Sequence, residues 1–114
     1  MRGIEIVLET RGLHEILRSL DGRAEKVLEV AARNIERDWK QNIVTQHVID
    51  TGTYLGSVHV VKDHPPLERT IADGVTYGVF QEFGTSRMGA RPCALPAVEQ
   101  ERGRLKKAWE ELLK

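Results

Sequence analysis

Apolar and polar residues interleave at the start of the chain: Ile4, Ile6 and Leu8 alternate with Glu5, Val7 and Glu9. A period near two predicts a strand over residues 3–9 with one face buried. The spacing then lengthens. Leu13, Ile16, Leu17 and Leu20 recur at helical intervals, which predicts a short helix over residues 12–20. Asp21-Gly22 ends it, with Gly22 supplying the residue past the helix end and Asp21 able to cap the next turn.

Residues 23–46 carry the clearest pattern. Ala24, Val27, Leu28, Ala31, Ile35, Trp39 and Ile43 lie on one side at 3.6 residues per turn. Glu25, Glu29, Arg33, Glu36, Arg37 and Lys40 lie on the other. The pairs Glu29–Arg33 and Glu36–Lys40 have the favourable order at i,i+4, worth about 0.2–0.5 kcal/mol each. The apolar stripe drifts along the helix, so it is expected to wrap across its support.

Asp50-Thr51-Gly52-Thr53 predicts a turn or a fresh helix cap. The β-branched run Ser57–Lys62 predicts a strand, the prolines of His64-Pro65-Pro66 a loop, and Leu67–Asp73 a returning strand. Gly74 then turns the chain towards a third strand. Over 77–83 the recurrence of Tyr77, Phe80 and Phe83 at every third position favours a short helix, and the density of Val, Tyr and Phe favours a strand; the expectation is a strand through about Tyr77, then a helical turn. A last helix starts between Pro92 and Pro96, where proline is well placed. Its apolar arc comprises Leu95, Val98, Leu105, Trp109, Leu112 and Leu113, with Arg102 inside the arc and Gly103 costing about 0.5–1 kcal/mol against alanine. Two readings of this helix stand: it completes its packing against a neighbour, or Arg102 snorkels on an ordinary core helix. The expected fold is α+β: a small antiparallel sheet of three or four strands on a long amphipathic helix, with a C-terminal helix. One domain spans 1–114, since this is the usual size of a single core.

Charge adds a constraint. Seventeen basic residues balance seventeen acidic ones, so the chain has no long-range attraction for nucleic acid and little electrostatic opposition to self-association. Cys93 is the single cysteine, which leaves no intrachain disulfide and suits a reducing compartment. The charged start Met1-Arg2-Gly3-Ile4-Glu5 is not followed by the apolar run of a secretory signal. No stretch approaches the roughly 20 apolar residues of a membrane span, so no membrane partner is expected.

Recognisable chemistry is scarce. His14, His47, His59 and His64 form no metal-ligand spacing with one another or with Cys93. His59, between Val58 and Val60, is expected on the outer face of a strand. Cys93 beside Arg91 fits a reactive thiol or, more simply, a small buried residue at a helix start. Gly52, Gly56, Gly84 and Gly89 form no phosphate-binding loop and read as turn glycines. Ser57, Ser86, Asp50, Asp63, Asp73 and Glu82 form no triad or dyad. Neither catalysis nor a metal or cofactor is expected.

The densest signal is the run Val75–Thr85, with three aromatics, Tyr77, Phe80 and Phe83, in seven residues of a chain that is 5% aromatic. It breaks at Gly84, continues as a loop carrying Arg87 and Arg91, and restarts at Pro92. An apolar anchor feeding a shaped loop suits contact with other proteins, where arginine is enriched.

Three blocks carry a resemblance. Asp50-Thr51-Gly52-Thr53-Tyr54-Leu55-Gly56-Ser57-Val58, then Tyr77 through Glu82-Phe83-Gly84-Thr85, then Ala90-Arg91-Pro92-Cys93-Ala94-Leu95-Pro96-Ala97 occur in series over residues 50–98. Together they resemble the minor tail or tail-completion (head–tail joining) proteins of long-tailed bacteriophages. Cys93 departs from the phenylalanine usual there, and Tyr54-Leu55 shifts the usual leucine by one place. The resemblance implies a non-enzymatic virion protein, assembled in the host cytoplasm into a ring, usually of six. That ring docks on the connector or tail tube, with DNA only passing through its lumen. It further implies that Glu82, Phe83, Gly84 and Thr85 fix the loop on a foundation of Tyr77, Phe80 and Phe83. Gly84 would take a positive φ. Arg87, Met88 and Arg91, ahead of Pro92, would reach a neighbouring subunit or the next ring. The alternative is a small cytosolic nucleic-acid-binding or regulatory domain using Arg87, Arg91, Arg102, Arg104, Lys106 and Lys107.

Overall fold

The structure is a computed structural model that describes residues 3–10, 14–20, 22–46, 51–74, 76–84 and 89–113. The elements run β1 (Glu5–Glu9), α1 (His14–Arg18), α2 (Arg23–Thr45), α3 (Thr51–Ser57), β2 (His59–Val60), β3 (Glu68–Ala72), α4 (Thr76–Phe83) and α5 (Ala94–Leu112). The fold is α+β, with a three-stranded antiparallel sheet, a long helix and a C-terminal helix, as expected.

The sheet order is β1-β3-β2, with Ile6 opposite Ile71 and Val60 opposite the same Ile71 on the other side. The expected hairpin of neighbouring strands forms from β2 and β3. Its third strand differs: β1 takes the open edge of β3, and Thr76–Phe83 is helix throughout. Thr51-Gly52-Thr53, read from sequence as a turn or a fresh helix cap, lie within helix α3.

The stripe on α2 is the core. Ala24, Leu28, Ala31, Ala32, Ile35, Trp39 and Ile43 are buried. Trp39 and Tyr54 are fully enclosed; the Trp39 Nε1–H donates to Tyr54 Oη at 2.9 Å with the rings edge-to-face. The polar side of α2 is not uniformly solvated. Arg69, buried on the inward face of β3, donates to Glu29 Oε1 at 3.0 Å and pairs with Glu25 at 3.3 Å. Removing such an arginine from water is tolerable only because its donors are matched. Of the two helical pairs expected on this side, Glu29–Arg33 forms at 2.8 Å. Glu36 instead accepts the Val60 amide at 3.2 Å, so α2 seals the outer edge of β2.

Helix α5 runs antiparallel along α2. Asn42 Nδ2 donates to the Cys93 carbonyl at 2.9 Å near one end, and Asn34 Nδ2 donates to Glu101 Oε2 at 3.0 Å further along. The buried residues of α5 are Ala94, Ala97 and Glu101. The expected arc holds in part: Val98, Leu105, Trp109 and Leu112 are half-buried, whereas Leu95 and Leu113 are exposed and Arg102 points to solvent. Ala94 and Ala97 are buried near the start of α5, and Trp109 and Leu112 pack near its end against the cluster that holds Ala24 and Leu28. The Glu101 carboxylate is accommodated because Asn34 and Arg104 both donate to it.

Candidate functional site

Within the Val75–Thr85 run, the strand expected through about Tyr77 is not found and the helical turn expected after it is, since Thr76–Phe83 form α4. Gly74, with φ 72°, precedes it, and Gly84, with φ 78°, ends it, its amide donating to the Phe80 carbonyl at 2.8 Å. Both positive φ values are ones that glycine adopts without strain, and the one expected for Gly84 is met.

The inward face of α4 is formed by Gly78 and Glu82, one helical turn apart and both buried. Gly78 lies so close to Asp73 and Tyr54 that a Cβ would overlap the Asp73 carboxylate. Asp73 is itself held in place, its Oδ1 accepting the Ile4 amide at 2.8 Å. Glu82 reaches from this face to the first turn of α5. Its Oε1 accepts the amides of Cys93 and Ala94, both at 2.9 Å, and its Oε2 accepts that of Leu95 at 2.8 Å. The first amides of a helix lack internal partners, and here the cap residue is Cys93, which supplies no side-chain acceptor. A carboxylate from another element fills that role and also meets the positive end of the helix dipole. Both ends of the span 84–92 are thereby tied to one side chain.

With Gly78 and Glu82 inside, Phe80 and Phe83 point out. Phe80 is 43% exposed and Phe83 72% exposed. This overturns the expectation that Phe80 and Phe83 form a buried foundation; the Tyr77 side chain lies outside the described residues. The physical reason is that Glu82 must face the α5 amides, and at about 100° per residue this turns position 80 to the opposite side and position 83 onto the flank. Leu95, 55% exposed, adds apolar surface beside the Glu82 clamp. Arg91 is exposed and Pro92 half-buried; Thr85, Ser86, Arg87 and Met88 lie outside the described residues.

Cys93 is fully buried, as the simpler reading of its position expected. Burial first, and the Glu82 charge second, push its thiol up to about 11. A thiol so protonated at neutral pH is a poor nucleophile. Burial likewise drives the Tyr54 hydroxyl well above its ordinary range. The Arg69 hydrogen bond holds the Glu29 carboxyl below its usual value. All of these groups are integral to packing contacts. Among the described residues no three His, Cys, Asp or Glu side chains gather as a metal site. No helix among them is long and apolar enough to cross a membrane. Of the basic residues assigned to the nucleic-acid alternative, Arg102 faces Glu99 at 3.5 Å and Arg104 faces Glu101 at 3.0 Å, while Lys106 and Lys107 are exposed.

The arrangement is an outward Phe80–Phe83 face on a helix whose other side is clamped, with exposed Arg91 two residues ahead of the clamped Cys93. Sequence reasoning placed Glu82 in the loop-fixing set but missed its partner. The signal was the cysteine at the start of α5, a helix opening without a capping side chain. Compared with protein families, curated proteins and solved structures, the chain matches none.

Proposed function

We propose that this chain is a structural protein of a bacteriophage or prophage particle that acts by contact and catalyses no reaction. Copies assemble into a ring at the head–tail junction or tail terminus, in the host cytoplasm, and dock onto the tail tube or connector. DNA passes through the lumen without being gripped.

The observation that carries this reading is the outward Phe80–Phe83 face, held rigid from behind by the three hydrogen bonds of Glu82. Exposed aromatics on a fixed element are typical anchors of protein interfaces. The neutral charge balance is in keeping with it, since a ring around DNA needs passage and not tight binding. The three sequence blocks of the resemblance fall on α3, on α4 and on the start of α5, which pack around Tyr54, Gly78 and Glu82.

Light scattering and negative-stain microscopy of the pure protein, with and without purified tail tubes, test the reading. The expected result is a tube-dependent ring at one end of the tube. Failure to associate with tubes or connectors, together with salt-sensitive DNA binding in a gel shift, would overturn it.

A further inference from the structure

We propose that copies of this chain join head to tail, with the last turn of α5 of one copy seated on the hollow between α2 and α3 of the next. Leu113 enters the hollow and Glu110 meets Lys40. The contact deepens the ring reading above and rests on it for its biological place.

The hollow has a volume of about 500 Å³ and is bounded by Lys40, Val44, Gly52, Leu55 and Gly56, with Arg37 on its rim. Gly52 and Gly56 have nothing within 4 Å of where a Cβ would stand, so the α3 side is open backbone surface. Val44 is 47% exposed there. The rim is cationic. Arg37 is engaged by Asp38 at 3.1 Å, but Lys40 has no ion-pair partner among the described residues. Its natural partner at i−4, Glu36, is occupied by the Val60 amide and by Arg33.

The last turn of α5 has the complementary chemistry. Leu113 is 55% exposed, and its amide still closes the helix on the Trp109 carbonyl at 3.0 Å, so it stands on an ordered end. Glu110 is exposed and also has no ion-pair partner among the described residues. Three residues apart, the two share one side of the helix. An apolar tip with an adjacent anion thus matches an apolar hollow with an adjacent cation.

The two surfaces cannot meet within one molecule. The antiparallel packing places the end of α5 beside the start of α2, where Trp109 and Leu112 pack with Ala24 and Leu28. Lys40 lies 16 residues further along α2, about 24 Å at 1.5 Å per residue, in a body 50 × 25 × 23 Å. Each copy therefore offers both halves of a heterologous contact, which generates a closed ring when the rotation closes and a filament otherwise. Repulsion between like-charged copies does not resist it, because the chain is neutral.

Sedimentation equilibrium of the full chain from about 10 μM to 1 mM tests the contact. The wild type is expected to associate reversibly. Lys40→Glu and Glu110→Lys should each weaken association about tenfold or more, and the double exchange should restore it to within about threefold, the sign of a direct pair. Leu113→Asp should abolish association with the far-ultraviolet circular dichroism unchanged. A wild type that stays monomeric throughout overturns the contact. So does an oligomer indifferent to both charge reversals, or a double exchange that fails to restore. Oligomers indifferent to these changes leave the ring reading standing on another interface, since that reading is judged by docking to tail tubes.

Discussion

Glu82 serves as the missing N-cap of the helix that follows Cys93: one carboxylate oxygen takes the amides of Cys93 and Ala94, and the other takes that of Leu95. A cap drawn from another helix joins the stability of α5 to the placement of α4. Replacing Glu82 by alanine leaves three amides without an acceptor in a buried setting. The expected loss is about 2–4 kcal/mol. Glu82→Gln retains an acceptor oxygen but removes the charge that meets the helix dipole, so its loss should be smaller, about 1–2 kcal/mol. Urea denaturation measures both. Equal losses for the two variants would show that a neutral amide oxygen cannot stand in for the carboxylate, whereas no loss in Glu82→Gln would show that the charge contributes nothing.

Glycine-to-alanine substitution should have opposite signs at two helical positions. At Gly103 nothing lies within 4 Å of the new Cβ, so Gly103→Ala gains about 0.5–1 kcal/mol from helix propensity alone. At Gly78 the same methyl overlaps the Asp73 carboxylate, which the Ile4 amide holds. Overpacking of about 1–3 kcal/mol outweighs the propensity gain, for a net loss of about 1–2 kcal/mol. Thermal melts of the two variants decide the matter. A stabilised Gly78→Ala protein would mean that Asp73 can move aside freely.

What could be read from the residues follows the range of the forces involved. Helix α2 was legible because its burial repeats over several turns, and Ala24, Leu28, Ala31, Ile35, Trp39 and Ile43 are inside as their spacing implies. The hairpin of β2 and β3 was legible from β-branching and the intervening prolines. The orientation of α4 was not. Tyr77, Phe80 and Phe83 suggested an inward aromatic stripe, whereas burial goes to Gly78 and Glu82. That choice is dictated by the amides of Cys93, Ala94 and Leu95, at least 11 residues away, which no local period reveals. The pairing of β1 with β3 is longer in range still, and α5 was legible in part: Trp109 and Leu112 pack inward as their spacing implies, whereas Leu95 and Leu113 are exposed and full burial goes to Ala94, Ala97 and Glu101.

If the aromatic face is an interface, its residues should be separable from the fold. Phe83→Ser and Arg91→Ala remove exposed groups, so each should change stability by no more than about 0.5 kcal/mol. Both should impair docking to tail tubes in a pelleting assay, Phe83→Ser more severely because an aromatic anchor contributes more than a rim charge. A large drop in melting temperature for Arg91→Ala would instead make Arg91 a tether of the monomer.

Alkaline pH should loosen the protein around the junction of α4 and α5. The Cys93 thiol has an ordinary value of 9.0 and stands at about 11 in the fold, chiefly because burial disfavours the thiolate. The unfolded chain therefore releases this proton first. Stability is fully present below pH 9 and declines as pH rises through about 11, by roughly 2–3 kcal/mol over that interval. The Tyr54 hydroxyl is raised by the same cause and acts in the same direction. Urea midpoints at pH 7, 9, 10 and 11 should fall progressively, and Cys93→Ala should remove part of the slope. Alkylation of native Cys93 near neutral pH should proceed only through opening of the fold, hence far more slowly than in urea. A flat stability profile between pH 9 and 11, with native alkylation as fast as that of the unfolded chain, would mean that the thiol is open to water and that the clamp between α4 and α5 is loose.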